Sequence, residues 1–260
     1  MLEYNLPAMD MPSEFFQGSI TEMQPSDFAN TILPLYSQTP VTVYVGSSKY
    51  TISKSLLCLR SPYFTAMFKG DFMEGVDQTA TLEPIDGVVS ARAFEYLAQW
   101  LCIGRITFNE PTPEESISAA VEFSRFSDMC GITGNDNLVA KNIKDIILAN
   151  LPSKGDIGRD FGRNTAHITS EHIFSASHLP RGHAVREILA ISAAEEYIQG
   201  ESHKFAEECH IVPGFSADLL AAVKKTLRTF SPRQRVLLTE LIREEEDWLR
   251  RWVPAHDSDS

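Results

Sequence analysis

Cysteine and histidine are the side chains of this chain that could most readily bind a metal or act as nucleophile and base. There are four cysteines and seven histidines. The cysteines are far apart and form no C-x-x-C pair, which argues against a zinc ribbon or a disulfide framework. Four histidines recur at intervals of five or six residues, whereas two imidazoles on one helix face need a spacing of three or four. We therefore predict no metal site and assign packing or surface roles to Cys58, Cys102, Cys130, Cys209, His167, His172, His178 and His183.

Motifs of known enzyme classes are also missing from the sequence. Asp160-Phe161-Gly162 copies the metal-binding triplet of kinases, but the Gly-rich loop, the strand lysine and the H-R-D motif that a kinase needs upstream are absent. Cys209 and His210 are neighbours in sequence, which does not by itself make their side chains face one another. The chain contains no G-x-S-x-G elbow, P-loop or H-E-x-x-H motif. The sequence therefore predicts no catalytic residue, no cofactor and no enzymatic activity.

The charge and the apolar runs of the sequence argue against nucleic acid and membrane as partners. The net charge of −12 argues against direct binding of nucleic acid, because phosphate contacts need clustered lysine and arginine. The longest apolar runs, such as residues 146–149, are far too short to span a bilayer. The first twelve residues lack the basic and apolar regions of a signal peptide. We expect an intracellular protein, in the cytoplasm or the nucleus, that contacts neither nucleic acid nor membrane.

Sequence patterns divide the chain into four parts. Residues 1–36 carry five acidic side chains, no lysine or arginine and no sustained periodicity, so they are predicted to form a flexible acidic arm. Residues 37–130 are predicted to form a small mixed α+β domain, and residues 131–253 an all-helical extension. The last residues, 254–260, are predicted to be a disordered tail.

The α+β prediction depends on a change of periodicity within the second part. Residues 41–45 alternate apolar and polar side chains, and residues 49–52 supply a returning strand after a Gly-Ser-Ser turn. Two short helices, a loop over residues 71–75, a short strand over residues 80–82 and a longer helix capped by Ser90 follow. Residues 105–108 are interpreted as a last short strand.

Three Ser-Pro or Thr-Pro pairs mark the starts of helices. A proline disfavours helical backbone angles at the residue before it, and an N-cap residue is not helical in any case. Proline at the first helical position also lacks the N–H that would go unpaired there. Ser61, Thr112 and Ser231 are therefore predicted to be helix caps. Thr112 and Ser231 have Glu115 and Gln234 three residues later, which completes a capping box.

The extension is predicted to consist of successive helices. An amphipathic helix is expected over residues 137–150, and shorter helices over residues 170–178, 182–198 and 202–209. Ser216 is interpreted as the cap of a further helix, and residues 152–166 as a Gly-rich loop. The last helix would run from Ser231 to about Trp252, with Leu238, Leu241, Trp248 and Trp252 near one stripe. That helix could pack on the extension or serve as a partner-binding helix.

The segment from Val41 to Phe108 resembles the BTB/POZ domain. The most specific part is a Ser-x-Tyr-Phe-x-x-Met-Phe run that follows a V-x-V-x-V-G strand. The residues that carry the resemblance are Val41, Val43, Val45, Gly46, Tyr50, Ile52, Lys54, Leu56, Leu57, Leu59, Ser61, Tyr63, Phe64, Met67, Phe68, Phe72, Glu74, Leu82, Phe94, Leu97, Trp100, Leu101, Gly104 and Ile106. Residues 112–150 are similar to the helical pair that closes many BTB domains. The stretches ITSEHIFSASH and VREILAISAAEEYI are similar to the helical extension of fungal BTB proteins.

The resemblance implies a BTB/POZ fold, with a small mixed sheet flanked by short helices, and a protein-interaction module without catalysis. BTB domains commonly self-associate, and many bind a cullin scaffold that recruits a client for ubiquitination. The cullin-binding feature of such domains is an apolar-x-Glu motif after the Tyr-Phe helix, where this chain has Phe72, Met73 and Glu74. The expected partners are therefore a second copy of the chain, a cullin scaffold and a client protein of unknown identity.

Other interpretations of the same residues stay open. Phe72 could pack on its own domain, which would leave Glu74 as a solvated charge. The chain could be a transcriptional or chromatin-associated regulator that uses the BTB domain only for assembly, or a stand-alone oligomerisation module. The aspartate that often begins the first strand of BTB domains is absent, since Thr39 and Pro40 precede Val41, and no zinc-finger pattern follows the domain.

Overall fold

Three short strands form the sheet on which the first half of the chain is built. In the computed structural model, which describes residues 24–33, 40–152, 162–199 and 203–229, the strands are β1 (Pro40–Val45), β2 (Ser48–Ser53) and β3 (Thr79–Leu82). The order is β2-β1-β3; β1 pairs antiparallel with β2 and parallel with β3. The apolar–polar alternation over residues 41–45 corresponds to the two faces of β1, because its three valines point inward and are buried.

Helices surround this sheet and continue into the second half of the chain. The helices of the first half are α2 (Lys54–Arg60), α3 (Pro62–Lys69), α4 (Met73–Asp77), α5 (Ala91–Ile103), α6 (Pro113–Met129) and α7 (Asp136–Ala149). The α+β architecture followed by helices that the sequence predicts is therefore confirmed.

Aromatic side chains form the core between the sheet and helices α3, α5 and α6. Phe64, Phe94 and Phe126 are fully buried. The ring centroid of Phe94 lies 4.9 Å from that of Tyr50 on β2 and 6.4 Å from that of Phe126 on α6. Because such rings bury large apolar areas and prefer tilted contacts, they fix the sheet against two helices at once.

The structure differs from the predicted flexible arm at residues 24–33. Helix α1 (Pro25–Asp27) begins with a proline and continues as a π-helical turn over Phe28–Ile32. Both contact α5, and the side chains of Phe28 and Leu33 are buried in the core. The prediction failed because this segment is ordered by the burial of these two side chains, which does not require a periodic sequence pattern. The other residues of the predicted arm, 1–23 and 34–36, lie outside the described residues.

Two further sequence predictions in the first half are corrected. Residues 105–108 form no strand, although Ile106 and Phe108 are buried; the Phe108 ring packs 4.8 Å from Tyr96 and 6.0 Å from Phe123. An extended segment that buries one side shows the same alternation of apolar and polar residues as a β-strand, even when it pairs with no other strand. Residues 71–75, predicted to be a loop, contain the start of α4.

The extension consists of a 3₁₀ turn (Arg163–Thr165) and the helices α8 (Ser170–Ser177), α9 (Ala184–Gln199), α10 (Glu208–Ile211) and α11 (Phe215–Thr229). Helix α9 contacts both α7 and α11. Ser216 does not cap α11, because the helix already begins at Phe215 and the Ser216 hydroxyl donates to the carbonyl of Cys209 (3.0 Å). The last predicted helix, its cap Ser231 and the tail lie outside the described residues.

Polar groups fix the extension in place. The guanidinium of Arg186 is buried, donates to the carboxylate of Asp218 through Nη2 (2.7 Å) and Nε (2.8 Å), and so joins α9 to α11. Its Nη1 donates to the carbonyls of Ser177 (3.1 Å) and Leu179 (2.8 Å). One side chain thereby satisfies three acceptors from different parts of the extension, as a buried charge requires.

Candidate protein-binding site

The residues after α3 form a small exposed surface on the first half of the chain. Helix α3 begins at Pro62 and ends at Lys69, and its C-cap residue Gly70 leads directly to α4. Phe72 is the N-cap residue of α4, and Gln78 ends the helix in the left-handed conformation at φ 51°. We call Phe72, Met73, Glu74 and Val76 the α4 face.

Two glycines set the position of the α4 face relative to α3. A Cβ atom on Gly75 would lie 2.5 Å from the carbonyl oxygen of Gly70, and one on Gly70 would lie 2.4 Å from the carbonyl oxygen of Ala66. Neither distance is possible for a real side chain, so a side chain at Gly75 would push α4 away from the end of α3, and one at Gly70 would distort the last turn of α3. The absence of both Cβ atoms therefore lets the chain turn sharply after α3, with the Phe72 ring 3.1 Å from where a Cβ atom of Gly70 would lie.

The apolar side chains of the α4 face point away from the core. Phe72 is 62% exposed, Met73 69% and Val76 74%. Phe72 therefore does not pack into its own domain, in contrast to Phe64 and Phe68 on α3, which are buried. Large aromatic and apolar side chains held on a rigid turn are the kind of anchor that dominates binding energy at protein interfaces.

The segment that contains the α4 face is acidic in sequence. From Gly70 to Ala91 the sequence contains five acidic residues and no lysine or arginine. Glu74 is half-buried, and its charge contributes to raising the pKa of the nearby Tyr63 phenol, after the larger effect of burial. A partner that covers the face with apolar side chains and surrounds it with basic ones would match both properties.

The structure brings the three predicted site residues together and adds a fourth. Phe72, Met73 and Glu74 lie at the start of α4, where the sequence predicts a loop. The sequence prediction does not include Val76, because a loop over residues 71–75 gives no reason to place Val76 beside Phe72 and Met73. The signal for it is the helical spacing of three and four residues from Met73 and Phe72.

Ser61 holds the helix that leads to the α4 face. Its hydroxyl oxygen accepts a hydrogen bond from the N–H of Phe64 (3.2 Å) and donates to the carbonyl of Cys130 (2.7 Å). The first contact caps α3 and the second ties its start to the end of α6. Thr112 caps α6 in the same way, in a capping box with Glu115 (3.1 Å from the Glu115 N–H).

A serine–histidine pair elsewhere in the fold has the wrong tautomer for catalysis. Ser118 Oγ lies 2.7 Å from His172 Nε2. The backbone N–H of Thr169 donates to His172 Nδ1 (3.0 Å), so the neutral ring carries its proton on Nε2 and donates to the serine. Burial also lowers the pKa of His172 to about 4. The ring in this arrangement cannot accept the proton of Ser118, and it ties α6 to α8 instead.

Two of the cysteines, Cys102 and Cys130, have the properties of packing residues. Burial raises the pKa of the Cys102 and Cys130 thiols to about 12, which disfavours the thiolate that nucleophilic attack or metal binding requires. Within residues 24–33, 40–152, 162–199 and 203–229 no cluster of three or more potential ligands could hold a metal ion. Over the same ranges, the structure contains no helix with the length and apolar character needed to cross a membrane.

Comparisons with known proteins identify the first half of the chain. A family model described as BTB/POZ domain matches residues 19–130, so it begins earlier than the predicted start at residue 37 and includes the α1 segment. Kelch-like protein 30 from Homo sapiens is 31% identical over 104 residues, which cover 39% of this chain and 17% of that relative. The same protein from Mus musculus matches with the same identity and the same coverage. The chain therefore matches less than a fifth of the length of these curated relatives.

Proposed function

Residues 19–130 are a BTB/POZ domain, and on that basis we propose that the chain is an intracellular adaptor without enzymatic activity that docks a cullin-type ubiquitin-ligase scaffold through the α4 face. The coarser role, a protein-interaction adaptor, follows from the domain and its Kelch-like relatives. The scaffold, self-association, the absence of catalysis and the cellular location are parts of the proposal.

The α4 face is the observation that supports docking most directly. Phe72, Met73 and Val76 are all more than 60% exposed on a helix of five residues. Helix α4 contacts both α3 and β3, so its backbone is positioned against the domain before a partner arrives. A preorganised anchor loses less conformational entropy on binding than a flexible loop does.

Self-association is the second part of the proposal, and it rests on the family resemblance. Light scattering of the purified full chain should give twice the mass of one chain. A variant without residues 1–23 should give the same result, because it keeps Phe28 and Leu33, which are buried in the core. A mass of one chain at micromolar concentration would contradict self-association and leave scaffold docking to be judged separately.

The experiment for scaffold docking is a binding assay with purified components. The full chain and a Phe72→Ala/Glu74→Ala variant are incubated with a panel of immobilised cullin scaffolds. Wild type should be retained by one of them, and the double variant should bind at least about tenfold more weakly. Leu148→Ala is the matched control, because Leu148 is a large exposed apolar residue on α7. Equal retention of the double variant, or no retention of wild type by any scaffold, would contradict the proposal; the latter would favour a pure oligomerisation module.

A further inference from the structure

The extension has an exposed apolar surface of its own, separate from the α4 face. A cavity of about 230 Å³ lies between α9, α10 and α11, and its walls include Tyr197, Cys209, Leu219 and Leu220. Leu220 is 65% exposed and Tyr197 is 47% exposed, so this hollow opens to the surface beside large apolar side chains. We call the cavity and its walls the extension groove.

The part of the chain that forms one side of the extension groove is basic in sequence. From residue 209 to residue 229 the sequence contains one acidic side chain, Asp218, and its carboxylate is paired with a guanidinium on α9. The same stretch contains three lysine or arginine residues, among them Lys224 and Lys225, which are both exposed. Lys224 follows Leu220 by four residues on α11 and therefore lies on the same face of that helix. In a chain with a net charge of −12, this is a local excess of positive charge beside an apolar hollow.

The α4 face has the opposite shape and the opposite charge. Phe72 and Met73 are more than 60% exposed at the start of α4, so they project from the domain. Asp71 precedes Phe72, Asp77 ends α4, and both carboxylates are exposed. One surface of the chain is therefore an apolar projection with acidic neighbours, and the other is an apolar hollow with basic neighbours.

The two surfaces can meet only between different copies of the chain. Phe72 and Leu220 are both exposed in the folded chain, so neither surface covers the other. A contact between the projection of one copy and the hollow of the next joins two different patches, which makes it heterologous. Each copy then keeps one free α4 face and one free groove, so the same contact can repeat from copy to copy.

We propose that the α4 face of one copy docks in the extension groove of a second copy, with Phe72 inserted into the cavity. An aromatic anchor in a pocket is the usual centre of a protein interface. Asp71 and Asp77 then lie near Lys224 and Lys225 of the second copy, and this match of charges sets the orientation.

The size of the α4 face determines how strong this contact is. A helix of five residues covers less than the roughly 800 Å² per partner of a standard stable interface, so the contact is weak and forms at high protein concentration. It adds to the mass of two chains proposed above only at such concentrations. The inference concerns copies of this chain and does not depend on scaffold docking, although a scaffold on the α4 face would compete with the contact.

Light scattering of the purified full chain tests the proposal. Between about 2 µM and about 200 µM the mean mass of wild type should rise at least about twofold, because a weak contact that repeats extends with concentration. Phe72→Ala should keep a constant mass over this range. A constant mass for wild type, or an unchanged rise for Phe72→Ala, would overturn the proposal.

Two charge-reversed variants locate the contact. Asp71→Lys/Asp77→Lys makes the surroundings of both surfaces basic, and Lys224→Glu/Lys225→Glu makes both acidic. Neither variant should gain mass with concentration by itself. An equimolar mixture should regain the rise of wild type, because each α4 face then meets a groove of opposite charge. A mixture that is no heavier than the separate variants would contradict the proposal, and so would a rise in either variant alone.

A matched control separates the groove from the overall charge. Lys141→Glu/Lys144→Glu makes the same change of charge at exposed positions on α7. This variant should gain mass with concentration as wild type does. If it loses the rise as completely as Lys224→Glu/Lys225→Glu does, net charge governs the association and the groove is not the docking site. Recovery in the mixture also shows that both charge-reversed variants are folded.

Discussion

The BTB/POZ domain and the helical extension bury their interiors by different means. The domain packs phenylalanine rings from α3, α5 and α6 against the sheet. Both regions also contain an ion pair, but Arg92, which pairs with Glu122 in the domain, is 39% exposed, whereas Arg186, which pairs with Asp218 in the extension, is only 6% exposed. The extension also contains a buried imidazole, His172, that links it to α6. Apolar packing tolerates substitutions of similar volume, whereas a buried polar group depends on each of its partners and on its protonation state. We therefore expect the extension to be the more sensitive region to charge and pH.

Loss of the buried ion pair should have the largest effect. Arg186→Ala leaves the carboxylate of Asp218 and the carbonyls of Ser177 and Leu179 without their donor. The free energy of unfolding should fall by about 3–5 kcal/mol, measured by urea denaturation. Lys141→Ala is the matched control, because Lys141 and Asp145 form an exposed pair on α7, and its effect should stay within about 0.5 kcal/mol. Equal effects of the two substitutions would remove the contrast between buried and exposed charge.

Acidification should destabilise the protein through His172. Burial lowers the pKa of His172 in the folded state from 6.5 to about 4. The positive charge of Lys204 also lowers this pKa, whereas a hydrogen bond to the backbone of Glu114 raises it and offsets part of the shift. The unfolded chain therefore binds more protons than the folded chain between these two values, so this contribution to stability is complete above pH 6.5 and falls as the pH approaches 4.

The loss between pH 7 and pH 5 should be about 2 kcal/mol. His172→Gln should be less stable than wild type at pH 7 but should show a flatter dependence on pH over this window. Urea denaturation at both pH values measures the difference. A slope that is identical in wild type and variant would show that His172 is not the titrating group.

The helix caps should affect stability less than the ion pair of Arg186 or the titration of His172. Ser61→Ala removes the acceptor for the Phe64 N–H and the donor to the Cys130 carbonyl. We expect a loss of about 1.5 kcal/mol. Thr112→Ala, whose capping box is exposed to solvent, should lose less, about 1 kcal/mol. If the melting midpoint of Ser61→Ala is unchanged, the cap does not stabilise the domain.

Local signals predicted the elements that depend on neighbouring residues. The alternation over residues 41–45 predicts β1, and the Ser-Pro and Thr-Pro pairs place the starts of α3 and α6 where the structure has them. Ser90 begins α5 by the same chemistry, since its hydroxyl accepts the N–H of Ala93 (3.0 Å). A cap and a strand each need only residues that are close in sequence.

Contacts between distant residues explain what the sequence did not reveal. Residues 24–33 fold because Phe28 and Leu33 are buried in a core to which α5, about sixty residues later in the chain, also contributes. Arg186 and Asp218 are separated by 32 residues. For the candidate site, the sequence indicated Phe72, Met73 and Glu74, but their exposure on a short helix depends on the close approach of Gly70 and Gly75. A local sequence pattern does not predict this close contact between the two glycines.

The dissociation constant for a cullin scaffold tests the central claim most directly, since the α4 face is proposed to bind a partner without supporting the fold. Titration calorimetry would compare wild type, Phe72→Ala and the control Leu148→Ala, with the melting temperature of each variant measured in parallel. We predict that Phe72→Ala raises the dissociation constant at least about tenfold and changes stability by less than about 0.5 kcal/mol, whereas Leu148→Ala leaves binding unchanged. An unchanged dissociation constant for Phe72→Ala would contradict the account, and so would a loss of binding that only accompanies unfolding.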